Sequence, residues 1–175
     1  MLLKNTDMNK YSKILFLAII SLMTMGLYGA CSNDNEREPE YAIQIEDLPS
    51  AAQNFLSKYF PGVAASKIEE EKATDIIVYE VELENGFEIV FNSEGEWQQI
   101  DAPDYQTVPK EVLPQPVAQV LSEQYPNYGV IEINTTGEGW KVELSNSSGH
   151  VPGESGIDLW INMSGEITQT SQNNV

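Results

Sequence analysis

The chain has little of what most catalytic and metal sites need. Its 175 residues hold one cysteine, Cys31, and one histidine, His150. A single thiol cannot close an internal disulfide. One histidine and one cysteine are too few for the usual His/Cys metal set. A hydrolytic triad needs a base, usually histidine. His150 sits in Ser148-Gly149-His150-Val151-Pro152-Gly153, a glycine- and proline-bounded loop that cannot hold a base to the required fraction of an ångström. The D-x-D-x-D-G spacing of a calcium loop is also missing. The sequence therefore leads to no catalytic residue, no metal site and no cofactor, and so to a protein that is not an enzyme.

Basic residues are scarce too, nine against 27 acidic, for a formal net charge of −18. Nucleic-acid binding draws on Lys and Arg to neutralise phosphates, so that class of partner is excluded. The apolar run Ile14 to Ala30 carries no charge but falls short of the roughly 20 residues of a comfortable membrane span. Asp34, Glu36, Glu38 and Glu40 follow it, so it has no basic stop-transfer flank.

The N-terminus has the layout of a secretory signal. Lys4, Lys10 and Lys13 form a basic start, the apolar run follows, and small residues precede a cut. Met8 is an alternative start. Leu27, Gly29, Ala30 and Cys31 resemble a bacterial lipobox, with Tyr28 where that pattern has a small or β-branched residue. The resemblance implies that residues 1–30 are removed and that Cys31 is lipidated and holds the protein at a membrane; the plainer alternative is an ordinary secretory signal with an incidental cysteine. Residues 31–44 then read as a flexible acidic tether, since their composition buries no core. An acidic stretch directly after the cysteine resembles the signal that sends some Gram-negative lipoproteins to the outer face of the outer membrane, so the expected place is the cell envelope, at the outer membrane, on its periplasmic side or at the cell surface. Removal of residues 1–30 takes away Lys4, Lys10, Lys13 and Asp7, leaving six basic and 26 acidic residues, a net of −20.

The rest of the chain repeats itself. Leu48 to Pro61 and Leu113 to Pro126 share a frame: Leu-Pro, then Leu-Ser eight residues on, then an aromatic residue near a proline. Tyr79-Glu80-Val81-Glu82-Leu83 matches Trp140-Lys141-Val142-Glu143-Leu144. Phe91-Asn92-Ser93-Glu94-Gly95-Glu96-Trp97 matches Ile161-Asn162-Met163-Ser164-Gly165-Glu166-Ile167. Three matches in one order define two copies, 45–104 and 105–175, the second with an insertion at Gly149 to Gly156.

Each copy opens on a helix. Pro49 and Pro114 suit a first helical position, and Ala52, Phe55, Leu56 and Tyr59 fall on one stripe, as do Val117, Val120, Leu121 and Gln124. Strands follow. Ile77, Tyr79, Val81 and Leu83 alternate with Val78, Glu80, Glu82 and Glu84, a half-buried pattern. Asn85-Gly86 signals a tight hairpin, after which Phe87, Ile89 and Phe91 alternate with Glu88, Val90 and Asn92. Trp140, Val142, Leu144, Ile157, Leu159 and Ile161 take the inward places of the second copy. Shorter strands near Lys67 to Glu71 and Val130 to Asn134 precede these. The expected fold is α+β: two tandem helix-plus-four-strand antiparallel repeats, whose helices pack on one face of the sheet.

This pattern resembles the PepSY-like family of exported envelope proteins, with its β-lactamase-inhibitor-like fold. The resemblance runs from Ile45 to Thr170 and implies two repeats side by side. Related modules in peptidase propeptides are thought to inhibit or chaperone, which makes inhibition a possible role.

Function is then expected on the outer sheet face. Trp160 lies between inward Leu159 and Ile161 and so points outward, beside Asp158, and Val90 takes the equivalent place in the first copy. With Glu80, Glu82 and Glu88 these residues make a candidate partner-binding face, since aromatic side chains dominate binding hot spots. The plainer alternative is a solubilising acidic face with Trp160 packed under a loop. The expectation is a monomeric, lipid-anchored binding module with an unknown protein or peptide partner; the alternative is a structural or stress-related envelope lipoprotein without a ligand site.

Overall fold

A computed structural model of the chain describes residues 41–73, 76–146 and 155–174. The signal segment, Cys31, the tether up to residue 40, and His150 with most of the insertion lie outside the described residues.

The first copy contains helix α1 (Ser50–Tyr59) and strands β2 (Ala65–Ala73), β3 (Ile76–Leu83), β4 (Glu88–Asn92) and β5 (Trp97–Asp101). The second contains α2 (Gln115–Gln124), β6 (Gly129–Thr136), β7 (Gly139–Ser145), β8 (Ser155–Asn162) and β9 (Ile167–Asn174). A two-residue strand β1 (Tyr41–Ala42) precedes them. All the strands form one antiparallel sheet in chain order. β1 pairs Tyr41 with Glu70 and Ala42 with Glu69, so the segment expected to be tether up to residue 44 enters the sheet earlier. Such a short edge pairing carries no apolar alternation and leaves no pattern to read. β2 and β6 are also longer than expected, because their charged and polar residues break the run of apolar ones.

The core is a row of apolar residues running across the sheet. Ile68, Val81, Ile89, Ile100, Ile133, Val142 and Leu159 oppose one another on successive strands. Each is 6 % exposed or less. Both helices cover this face. Ten residues is too short for a helix to persist alone in water, so its burial must stabilise it. Ala52 and Leu56 of α1, and Val117, Val120 and Leu121 of α2, are buried. Phe55 meets Phe91 edge to face at 5.5 Å. Pro49 and Pro114 cap the helices one place earlier than a first helical position. The helices end alike: the Phe60 and Tyr125 N–H groups donate to Leu56 and Leu121 carbonyls, and the following prolines prevent continuation.

The two copies also repeat their irregularities. A register shift lies between Ala65 and Lys67 in β2 and between Val130 and Glu132 in β6. Another lies between Val90 and Phe91 in β4 and between Trp160 and Ile161 in β8. The last hairpin of each copy is built on one asparagine. Asn92 Oδ1 accepts the N–H groups of Glu94 and Glu96 while its Nδ2 donates to Glu96 Oε2. Asn162 does the same with Ser164 and Glu166.

Candidate interaction face

The outer face follows from the pairing register. Residues opposite one another across strands share a face and sit one interstrand spacing apart. Starting at Lys67, the partners run Glu82, Glu88, Asp101, Glu132, Glu143, Asp158 and Ser171. The six central members are all carboxylates, one from each of six adjacent strands. At about 4.8 Å per strand the row is about 24 Å long. A second row beside it runs Glu69, Glu80, Val90, Gln99, Asn134, Lys141, Trp160 and Gln169.

All six residues expected on the outer face fall into these two rows. Glu82, Glu88 and Asp158 belong to the carboxylate row; Glu80, Val90 and Trp160 belong to the other. They do not form one compact patch. Val90 and Trp160 occupy equivalent places in the two copies, each at a bulge, but four strand steps separate them, about 19 Å. Val78, also expected outside, is 8 % exposed, flanked by Glu71 and Asn92 in the register.

Trp160 is half-buried. The Lys141 ammonium stands 5.6 Å from its ring centroid and 3.5 Å from Asp158 Oδ1. Asp158 is 8 % exposed and also accepts the Ser171 hydroxyl at 3.3 Å. Lys141 thus ties the tryptophan to one end of the carboxylate row. Mid-row, Glu132 Oε1 accepts Gln99 Nε2 at 3.2 Å and Asn134 Nδ2 at 2.6 Å. Both donors lie in the neighbouring row, so these bonds tie the Glu132 carboxylate to it.

Sequence reasoning missed Asp101, Glu132 and Glu143. They sit on three different strands, and only the register shows that they oppose one another. It also missed Tyr105, which is 66 % exposed with φ 64° in the loop joining the copies. Trp140, expected inside, and Trp97 are both half-buried and pack against the core. Among the described residues no group of three or more His, Cys, Asp or Glu side chains is arranged to hold a metal ion. No helix of the described residues is long and apolar enough to cross a membrane.

The family model described as "Putative beta-lactamase-inhibitor-like, PepSY-like" matches residues 35–95 and 77–169. The chain belongs to the PepSY-like family. Comparison with curated proteins gave no match. Among solved structures, this PepSY-like chain is similar to a "putative periplasmic protein from DUF2874 family" of Bacteroides vulgatus, at 23 % identity and TM-score 0.66 over 77 % of this chain and 98 % of that one. A second Bacteroides vulgatus protein, a "putative periplasmic protein of unknown function", matches at 25 % identity and TM-score 0.64 over 76 % and 99 %. A "putative calcium-regulated periplasmic protein" of Bacteroides thetaiotaomicron matches at 21 % identity and TM-score 0.64 over 75 % and 96 %. The solved relatives are thus described as periplasmic, which is consistent with the cell envelope.

Proposed function

We propose that this PepSY-like protein is a non-catalytic, lipid-anchored binding module of the cell envelope that docks a cationic protein segment on its outer sheet face. The row of six opposed carboxylates carries this reading. Like charges directly opposite one another destabilise a sheet. Solubility needs only scattered charge and does not call for six carboxylates in line.

The spacing favours one shape of partner. Carboxylates recur about every 4.8 Å along the row. A helix laid across the strands presents one side chain per turn, about every 5.4 Å. An extended segment presents one every 6.6 to 6.8 Å or so, two residues apart on the same face. The helix is the nearer match. Lys or Arg at helical spacing would meet successive carboxylates, and Trp160 would supply an aromatic contact at the row's end. A peptidase with such a helix would be inhibited by being covered.

The test uses the full chain in neutral detergent and two lysine-rich helical peptides of equal composition. One gathers its lysines on one face; the other spreads them around the helix. The one-face peptide is expected to bind more tightly, to weaken with added salt, and to weaken in Glu82→Gln/Glu132→Gln and in Trp160→Ala chains that keep the wild-type circular dichroism. Equal binding of both peptides, or binding indifferent to the glutamine variants, would refute the reading. No binding even at low salt would turn the weight to a structural envelope protein. Because one relative is described as calcium-regulated, each titration is repeated with calcium, whose competition with the peptide would place the cation on the same carboxylates.

A further inference from the structure

The two edges of the sheet are built differently. The β2 edge is defended. β2 carries five charged residues, Lys67, Glu69, Glu70, Glu71 and Lys72. Two close ion pairs lie within it, Lys67 with Glu69 and Lys72 with Glu70, both at 2.6 Å. β1 covers part of its length. These are the usual devices against edge-to-edge pairing. The β9 edge has neither charge nor cover, and its one irregularity is a bulge at Thr168, near its start. Its eight residues, Ile-Thr-Gln-Thr-Ser-Gln-Asn-Asn, contain no charge and no proline. It is the one strand longer than two residues among those described that lacks a charged residue. β9 pairs with β8 along its whole length, and among the described residues no strand pairs with its other side. Alternate residues of such a strand turn their N–H and C=O groups outward. Thr168, Gln169, Thr170 and Gln172 are exposed.

We propose, in place of the monomer expected from the sequence, that the β9 edge pairs antiparallel with β9 of a second copy of this chain, joining two sheets into one across a two-fold axis. Three observations select that occupant. The chain has a net charge of −18, so two copies approach at least cost where the surface is uncharged. The other edge is charged and covered, so β9 has only β9 to pair with; addition stops at two copies and does not run on into a fibre. The strand is also self-complementary. A register centred on Thr170 or on Ser171 sets like-facing residues against one another from Gln169 onward, and the middle of the seam is made of Thr, Ser and Gln, which can hydrogen-bond across strands. This goes beyond the cationic-partner reading and stands without it, since the carboxylate row and the β9 seam share no residue other than Ser171 at the row's end.

The test is cross-linking of the full chain in the membranes of the cells that express it. Thr170→Cys and Ser171→Cys are made separately, so that each register is covered. At the centre of an antiparallel pair the two Cα atoms lie about 4.5 to 5.5 Å apart, within disulfide reach. Mild oxidation should give a species of twice the chain's mass from at least one of these variants. The wild type, which has only Cys31, and Thr136→Cys, at the exposed end of β6 and three strands away from β9, should not give it. A second arm places Lys and Glu variants together at whichever central position cross-links, Thr170→Lys with Thr170→Glu or Ser171→Lys with Ser171→Glu. Each alone should lose the dimer, as measured by sedimentation in density-matched detergent, and the mixture should regain it. No cross-link at either position, equal cross-linking at Thr136→Cys, or a dimer that survives both charge variants would overturn the proposal.

Discussion

Gly95 and Gly165 occupy the same place in the two copies, and replacing each by alanine separates backbone strain from packing. Both sit in the asparagine-centred turn, with φ of 81° and 83°. An alanine in the left-handed region costs about 1 to 2 kcal/mol, so this part should be equal at both sites. The surroundings differ. A Cβ on Gly95 would stand 2.7 Å from the Ala52 backbone nitrogen and 2.9 Å from Pro49 Cβ. Both atoms belong to the start of α1, which cannot give way without moving the helix. A Cβ on Gly165 would meet Pro116 Cβ at 3.5 Å, ordinary contact. Overpacking of this kind costs about 1 to 3 kcal/mol. Gly165→Ala should therefore cost about 1 to 2 kcal/mol, and Gly95→Ala about 2 to 5 kcal/mol. For a domain of this size that difference corresponds to several degrees in melting temperature. Thermal unfolding of the full chain followed by circular dichroism reads both. Equal costs, or a larger cost at Gly165, would mean that the first turn is not seated on the helix start and would refute the account of how each copy closes.

Two further outcomes follow from single contacts. A Cβ on Gly139 would fall 2.0 Å from the Ile161 carbonyl oxygen and 2.7 Å from Asn162 Cα; both are backbone atoms, so Gly139→Ala should part β7 from β8 and cost about 3 kcal/mol or more in denaturant unfolding. Burial, with the Glu70 carboxylate beside it and against the opposing pull of Lys72, raises the Tyr79 pKa above the ordinary value of 10.0. A phenol whose folded pKa is raised contributes stability that is present below pH 10 and is lost as the pH climbs through its folded value; Tyr79→Phe should flatten that alkaline decline in melting temperature, and an unchanged profile would place the loss elsewhere.

Much of the fold is legible in the sequence because the signals are local. The Leu-Pro start, the apolar stripe through Ala52 and Leu56, the Asn85-Gly86 turn and the alternation from Tyr79 to Phe91 each act within a few residues, and the second copy repeats them. The outer face is less legible. Alternation assigns Glu80, Glu82 and Glu88 to one side of two neighbouring strands, but whether Asp101, Glu132 and Glu143 continue the same line depends on register. The register depends in turn on bulges near Lys67, Val90, Glu132 and Trp160, and one slipped residue would send a side chain to the other face. β1 and the conformation of Tyr105 leave no periodic trace at all.

The join between the two copies suggests what a bound cation would do to the protein itself. β5 and β6 are held by three register pairs, Gln99 with Asn134, Ile100 with Ile133 and Asp101 with Glu132. β6 and β7, by comparison, share seven. One of the three at the join opposes two carboxylates, which disfavours pairing. Ile100 and Ile133, both fully buried, and the Gln99 contact with Glu132 must offset that repulsion. A cationic side chain laid over Asp101 and Glu132 would remove it at the seam with the fewest register pairs between strands longer than two residues. Anything that binds the folded form alone stabilises it, and here the gain should concentrate at one place. Amide exchange in β5 and β6 should slow on binding the one-face lysine peptide, more than in β3 or β8. Protection spread evenly over the sheet, or confined to β8 beside Trp160, would mean that the partner rests elsewhere and that the opposed carboxylates at the join have no part in holding it.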